Sequence, residues 1–243
     1  MKNYTSTLLI VVAIIIASVL FSTAYKYKFK TAETIVVTGL AETDFTSNQI
    51  VWSGRINRYG YDLKQVYSDI KADEKAVKNY LNNKGLPDSS IEFSSIDVQK
   101  NFTNKYDNNG SVTGSEFSGY TLSVEVKVNS TNITLVEKIS REVTEVLQLG
   151  IEFNSQKPLY YYSKLNELKI ALLAAASKDG KLRAETIANN ADASLGNMKK
   201  ATMGVFQITG KNDNESYSYG GSFNTSSKEK TASITLRVEY AIN

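Results

Sequence analysis

The stretch "YTLSVEVKV", Tyr120 to Val128, alternates without a fault. Tyr120, Leu122, Val124, Val126 and Val128 face one way; Thr121, Ser123, Glu125 and Lys127 face the other. Period-two alternation marks a half-buried antiparallel strand, because successive side chains point to opposite faces of a sheet. Such a strand needs neighbours, and the flanking sequence supplies them. Upstream, "NKYDNNGSVTG", Asn104 to Gly114, is a polar hairpin connection. Before it Ile91 and Phe93 alternate, and Ile96 and Val98 resume one residue out of phase, which predicts a bulge between Ser94 and Ser95. Downstream, Val136, Ile139, Val143, Val146 and Leu147 recur at helical spacing and stop at Gly150. Ile151 and Phe153 then open another strand that reaches the tyrosines Tyr160 to Tyr162.

Further upstream, Ile50, Trp52 and Ile56 share one face of a strand running to about Tyr59. Asp62 can cap a helix with the stripe Leu63, Val66, Tyr67, Ile70, Val77 and Leu81. "NNKGLP" ends it, with Gly85 placed for a left-handed C-cap and Pro87 two residues later. From Ile50 to Tyr161 the order is therefore strand, helix, strand, strand, helix, strand. That is the ferredoxin-like βαββαβ unit.

Around this unit the sequence adds three elements. A short strand, Ile35 to Val37, is stopped at Gly39. A long helix starts at Ser163 and runs to about Leu195, presenting Leu165, Leu168, Leu172 and Ala175, then Ala184, Ala188, Ala191 and Leu195. Gly180 in its middle weakens it by up to about 1 kcal/mol relative to Ala. A C-terminal β-hairpin pairs Val205–Thr209 with "ITLRVEYAI", in which Ile234, Leu236, Val238, Tyr240 and Ile242 alternate. The fold class is α+β with a mainly antiparallel sheet. Between the hairpin strands Lys211 to Lys230 form a polar loop too long for a plain connection. Its Tyr217, Tyr219 and Phe223 are the candidate partner-contact residues.

Composition narrows the chemistry. Among 243 residues there is no cysteine and no histidine. Disulfides, thiol nucleophiles, Ser–His–Asp catalysis and the usual zinc and haem ligands are thereby removed. A net charge of +3 with lysines spread among acids gives no footprint for nucleic acid. The 15 tyrosines fall mostly in strand-like runs, where aromatics are structural.

The start, "MKNYTSTLLIVVAIIIASVLFSTAYKYKFK", carries Lys2 and then no charge from Asn3 to Tyr25. Leu8, Ile10, Val12, Ile15, Val19 and Phe21 belong to its apolar heart. That heart has signal-peptide length, and Ser22-Thr23-Ala24 supplies small residues of the kind cleaved after. Extended to Ala24 the run is also long enough to span a membrane, and Tyr25, Tyr27 and Phe29 alternating with Lys26, Lys28 and Lys30 suit its interface. The reading is thus a signal peptide or membrane anchor over 1–24, a juxtamembrane linker over 25–32 and a folded domain over 33–243, outside the cytoplasm.

No catalytic, cofactor-binding or metal-binding constellation emerges. "ETIANNADASLGNMKKATMGVFQITG", Glu185 to Gly210, has the glycines and lysines of a phosphate loop but the wrong order of elements. A phosphate cradle needs strand, turn, then helix, whereas here helix precedes strand, and the G-K-[ST] ending is missing. Gly196 reads as a helix C-cap, with Lys199 and Lys200 near the negative end of the helix dipole. Asp107-Asn108-Asn109-Gly110 hints at a calcium loop, yet Glu116 is two residues short of the bidentate position, and a hairpin turn is the better reading. Glu33, Glu42, Asp44 and Asp62 are acids near strand ends with no pairing spacing. Ser163 and Lys164 are adjacent and do not converge as a dyad.

Four stretches carry a resemblance: "TIVVTGLAE" at Thr34 to Glu42, Gly119-Tyr120 opening the alternating strand, the alanine-rich helix ending at Leu195-Gly196, and "ITLRVEYAI" at the end. In this order they resemble the SIMPL-domain proteins, over roughly Glu33 to Asn243. The resemblance implies an exported or membrane-tethered bacterial envelope protein with no established catalytic residues. It further implies assembly into ring- or channel-like homo-oligomers and, for some members, protection against oxidative stress. The expectation is a non-enzymatic protein that binds no nucleic acid and self-assembles. The alternative is a periplasmic binding module or accessory subunit that holds another envelope protein through the Lys211–Lys230 loop.

Overall fold

The computed structural model describes residues 2–29 and 33–243. Residue 1 and residues 30–32 of the expected linker, with the side chains of residues 2–6 and 27–29, lie outside the described residues. The chain divides into two compact units. One comprises Met1–Leu40, Ala175–Gly204 and Thr235–Asn243; the other comprises Ala41–Ala174 and Val205–Ile234. The fold is α+β with antiparallel pairing, as the alternation of the strands requires.

The larger unit holds the ferredoxin-like unit. Its elements are β2 (Gln49–Gly60), α2 (Leu63–Asn83), β3 (Ile91–Phe93), β4 (Asp97–Tyr106), β5 (Val112–Ser130), α3 (Ile133–Glu142) and β6 (Glu152–Ser155), with a short β7 (Leu159–Tyr161) after them. The sheet runs β3-β5-β2-β6, with β4 also on β5 and β7 also on β2, and these strands all pair antiparallel. β2 lies against β5 from Ile50↔Ser130 to Gly60↔Tyr120 without a slip. Ile50, Trp52 and Ile56 from β2 and Leu122, Val124, Val126 and Val128 from β5 are almost wholly buried. Against them α2 and α3 set Val66, Ile70, Val77, Leu81, Val136 and Ile139.

The helix ends follow their sequence signals. Asp62 Oδ1 accepts from the N–H groups of Lys64 (2.8 Å) and Gln65 (3.0 Å). Gly85 at φ +101° closes α2, where its N–H donates to Asn82 O and that of Leu86 to Leu81 O. The bulge sits where the phase slips: Phe93 pairs with Val126 but Asp97 with Ser123, so three residues of one strand face two of the other. Three expected stripe members differ. Leu63 and Tyr67 are exposed, as is Leu147, while Asp73 lies in the buried stripe of α2. Asp73 is admitted there because Arg58 on β2 grips both its oxygens.

The remaining elements are β1 (Thr34–Thr46), α4 (Leu165–Asn190), β8 (Leu195–Met203), β9 (Gln207–Gly210) and β10 (Glu229–Ile242). Their four strands form a second sheet ordered β1-β10-β8, with β9 on β10. The terminal hairpin of β9 and β10 is as expected, with Thr231 opposite Thr209. β1, α4 and β10 contribute segments to both units.

Several sequence expectations are corrected here. β1 does not stop at Gly39 but continues to Thr46. Gly39 is instead a place of close approach within the smaller unit: a Cβ there would stand 2.6 Å from Gly180 N and would overlap Ala176 O. The buried face of α4 steps by four residues, through Leu172, Ala176, Gly180, Ala184 and Ala188, so Ala176 rather than Ala175 is inside. α4 ends at Asn190, not Leu195. Gly196 is therefore no C-cap; it lies in β8 with Lys199 and Lys200, and Lys200 pairs with Glu239 of β10. The left-handed residue after α4 is Asp192, at φ 53°. Ser163 does not cap α4 either, since its N–H and Oγ are both bonded to the side chain of Asn48 (2.9 Å each).

Candidate functional site

The N-terminal helix α1 (Lys2–Phe29) is long and apolar enough to cross a membrane over Thr7–Lys26. The expected membrane residues Leu8, Ile10, Val12, Ile15, Val19 and Phe21 all lie on it and all are exposed. An apolar helix of this length with no buried side is compatible with a signal peptide or a membrane anchor. Thr23 Oγ1, near its end, donates back to Val19 O at 2.8 Å, the usual way a hydroxyl is satisfied within a helix.

The loop Lys211–Lys230 is folded around two buried polar residues. Lys230, 3% exposed, donates from Nζ to Asn224 O (2.6 Å) and Asn224 Oδ1 (3.2 Å). Burial pushes the Lys230 ammonium down to about 8, and Glu215 nearby partly opposes that shift. Asn224 Nδ2 is bonded to Glu215 and Ser226, and its Oδ1 also accepts from Ser227 N (2.8 Å). Gln207 on β9 ties the other limb: its side chain donates to Ser218 O (2.8 Å) and accepts from Ser222 N (2.8 Å). These braces leave the aromatics outward. Tyr219 is wholly exposed, and Tyr217 and Phe223 are largely so. The three expected contact residues thus share one ordered loop, which the polar composition alone did not foretell.

A third feature lay outside the sequence reading. On the face of the larger sheet turned away from α2 and α3, an open cleft of about 780 Å³ is lined by Ser53, Glu92, Glu125, Lys127, Lys157 and Tyr161 among others. Two acids and two lysines line one wall set, and none of the four is in an ion pair among the described residues. The cleft is a mixed-charge surface open to solvent. Glu92, Glu125 and Lys127 sit on the polar side of their strands and Lys157 on the link between β6 and β7, so alternation shows the face but not the hollow.

The chemically suggestive residues are occupied structurally. Asp107 Oδ1 accepts from Asn109 N (2.8 Å) and Ser111 N (2.9 Å), which builds the hairpin turn. Asp44 bonds Lys211 Nζ (2.8 Å) and Thr231 Oγ1 (2.7 Å), and the lysine holds its carboxyl below the usual range. Asp62 is the cap of α2. Glu33 contributes its carbonyl to Ile242 N (3.0 Å), and Glu42 is exposed on β1. Among the described residues no three acids converge as a metal site.

One long feature remains. Beyond the helices, β4 and the first part of β5 continue as a two-stranded arm whose side chains are nearly all exposed. Val98 pairs with the buried Leu122, so Val98, Phe102 and Tyr106 continue the core face of the sheet into solvent. Phe102 and Phe117 stack edge-on at 6.1 Å, and Phe117 meets Tyr120 at 5.0 Å and Tyr61 at 6.4 Å.

With this geometry in place, comparison with known families is decisive. The model of the SIMPL family, described as a protein of unknown function (DUF541), matches residues 35–240. The chain belongs to the SIMPL family. The match begins in β1 and ends in β10, so it takes in both units and leaves α1 outside. No curated protein matches the chain.

Proposed function

We propose that this SIMPL-family chain is a non-enzymatic protein of the bacterial cell envelope that works by self-assembly into a ring- or channel-like oligomer. It is exported or tethered through α1, with residues 33–243 facing the periplasm, and serves in protection of the envelope under stress. The observation that carries this reading is the pairing of an exposed apolar helix with a domain that leaves an aromatic sheet face uncovered. Apolar surface of that kind marks an interaction site more readily than a catalytic one. The test is the mass of the full chain in detergent micelles, and of Tyr25–Asn243 without detergent, by light scattering over a dilution series. A discrete multimer that persists on dilution supports self-assembly. A monomer of both chains at every concentration removes it.

A second reading is favoured by the braced loop. Tyr217, Tyr219 and Phe223, held outward on an ordered scaffold, suit a binding module or accessory subunit that holds another envelope protein. Limited proteolysis separates the two readings. If an envelope extract protects the loop of a monomeric chain from cleavage, the accessory role takes first place; if the loop is cut at the same rate, it is removed.

A further inference from the structure

The arm is an exposed sheet edge of unusual regularity. β4 has no strand on its outer side among the described residues. Natural edges of this length are interrupted by proline, a bulge or a covering segment, because an open row of N–H and C=O groups recruits another strand. β4 has no proline, and the two extra residues in its pairing with β5, Thr113 and Ser118, both belong to β5. From Asp97 to Tyr106 the edge is unbroken. An isolated two-stranded ribbon is marginal in water, and this one carries Val98, Phe102 and Tyr106 at 48%, 59% and 62% exposure.

The charges along β4 say what completes it. Two copies pairing antiparallel about a two-fold axis normal to the sheet keep the same face on the same side, so even-numbered residues oppose even-numbered ones. With Asn101 on the axis, Asp97 stands opposite Lys105 of the partner subunit, twice by symmetry, and Phe102 stands opposite Lys100 of the partner subunit. A register centred on Phe102 would set Asp97 against Asp107, and one centred on Lys100 would set that lysine against itself. Like charges directly opposed are destabilising, and unlike ones stabilising. Asp97 forms no ion pair within its own chain among the described residues, whereas Lys105 already reaches Glu116 at 2.9 Å and can bridge both acids.

We propose that two copies of this chain associate by antiparallel pairing of their β4 edges, centred on Asn101 and selected by the Asp97–Lys105 opposition. This rests on the self-assembly reading and names one of its surfaces: a two-fold interface closes at a dimer, and a larger ring needs a second contact. The pairing joins two arms into a four-stranded ribbon that gathers Val98, Phe102 and Tyr106 of both copies on one face, with Lys100 between them.

The chain lacks cysteine, so a single introduced thiol reports one position. The full chain in detergent micelles is made as Asn101→Cys and, for comparison, as Asn108→Cys at the hairpin tip, and each is treated with a short bis-maleimide. Asn101→Cys is expected to give a covalent dimer and Asn108→Cys at least tenfold less. Asp97→Lys is expected to raise the concentration for half-assembly about tenfold, and adding Lys105→Asp to restore it to within about threefold. If the unmodified chain assembles by mass but Asn101→Cys does not cross-link and Asp97→Lys changes nothing, the β4 interface is overturned while self-assembly stands. If the unmodified chain is monomeric throughout, both fall together.

Discussion

The ring of Phe153 on β6 occupies the space that any side chain at Gly54 on β2 would need. A Cβ at 54 would overlap the ring at Cζ and Cε1, and the same ring lies 5.9 Å from that of Trp52. β6 is only Glu152–Ser155, so the aromatic is the chief apolar tie of that short edge strand to the sheet. Gly54→Val is therefore expected to cost about 3 kcal/mol and Phe153→Ala about 3–5 kcal/mol, the ranges for overpacking and for a large cavity. Because both changes act on one site they will not add: in Gly54→Ala with Phe153→Leu, part of the loss is recovered. Chemical denaturation of the single and double variants measures the coupling, and strict additivity would show that the ring does not rest on Gly54.

Gly39 and Gly180 answer differently to the same substitution. At Gly39 the obstacles are backbone atoms of α4, the oxygen of Ala176 and the nitrogen of Gly180, which cannot turn aside. At Gly180 the nearest atom is the Cγ2 of Val238 at 3.0 Å, one methyl that must give by a few tenths of an ångström. Alanine at 180 also regains up to about 1 kcal/mol of helix propensity. Gly180→Ala is expected to change stability by less than about 1 kcal/mol, and Gly39→Ala to lower it by more than about 2 kcal/mol. Thermal unfolding of the two variants side by side decides the point.

The Arg58–Asp73 pair makes a charged contact between β2 and the buried stripe of α2. Asp73 is 5% exposed, while the Arg58 side chain keeps about a third of its surface (33%) in solvent. Removing one partner of a buried pair leaves the other without compensation, which costs about 3–5 kcal/mol when both are enclosed; the exposure of Arg58 reduces that here to about 2 kcal/mol. Asp73→Ala should show that loss. Asp73→Leu combined with Arg58→Met should restore most of it, since a well-packed apolar pair replaces a desolvated one. Urea midpoints of the single and paired variants carry the comparison.

The parts of the fold that were legible in the sequence are those where burial writes itself into local order. Tyr120 to Val128 alternates because one face meets α2 and α3, and Asp62 and Gly85 bracket α2 because helix ends need those side chains. β8 was missed for the opposite reason. Asn197 to Met203 are exposed, so no alternation is imposed, and the segment is a strand only because β10 offers an edge. Gly39 looked like punctuation, yet its demand comes from α4, more than a hundred residues away. The candidate site divides the same way. The apolar run of α1 is a local property and was plain, whereas the bracing of Tyr219 depends on Gln207, Asn224 and Lys230, whose bonds exist only once β9 and β10 have paired.

Lys230 gives the loop a pH dependence with a definite sign. Its Nζ is buried against Asn224, and that burial lowers its folded-state pKa to about 8, below the ordinary lysine value of about 10.5. Below pH 8 the lysine is charged whether the chain is folded or not, and the cost of enclosing the ammonium is present in full. Between about pH 8 and 10.5 the folded protein releases the proton while the unfolded chain keeps it. The unfolded state then binds more protons, so stability rises with pH across that window. The gain is on the order of 2 kcal/mol, scaled down from the full shift at 1.36 kcal/mol per unit. Lys230→Met removes the titrating group and, with it, the rise, and it leaves Asn224 O without its donor. Stability measured from pH 7 to 10 should climb in the parent chain and stay flat in the variant by comparison. Equal slopes in both would place the titration on a group other than Lys230; Tyr160, whose hydroxyl burial and Glu137 push up to about 12, acts with the opposite sign and only above about pH 10.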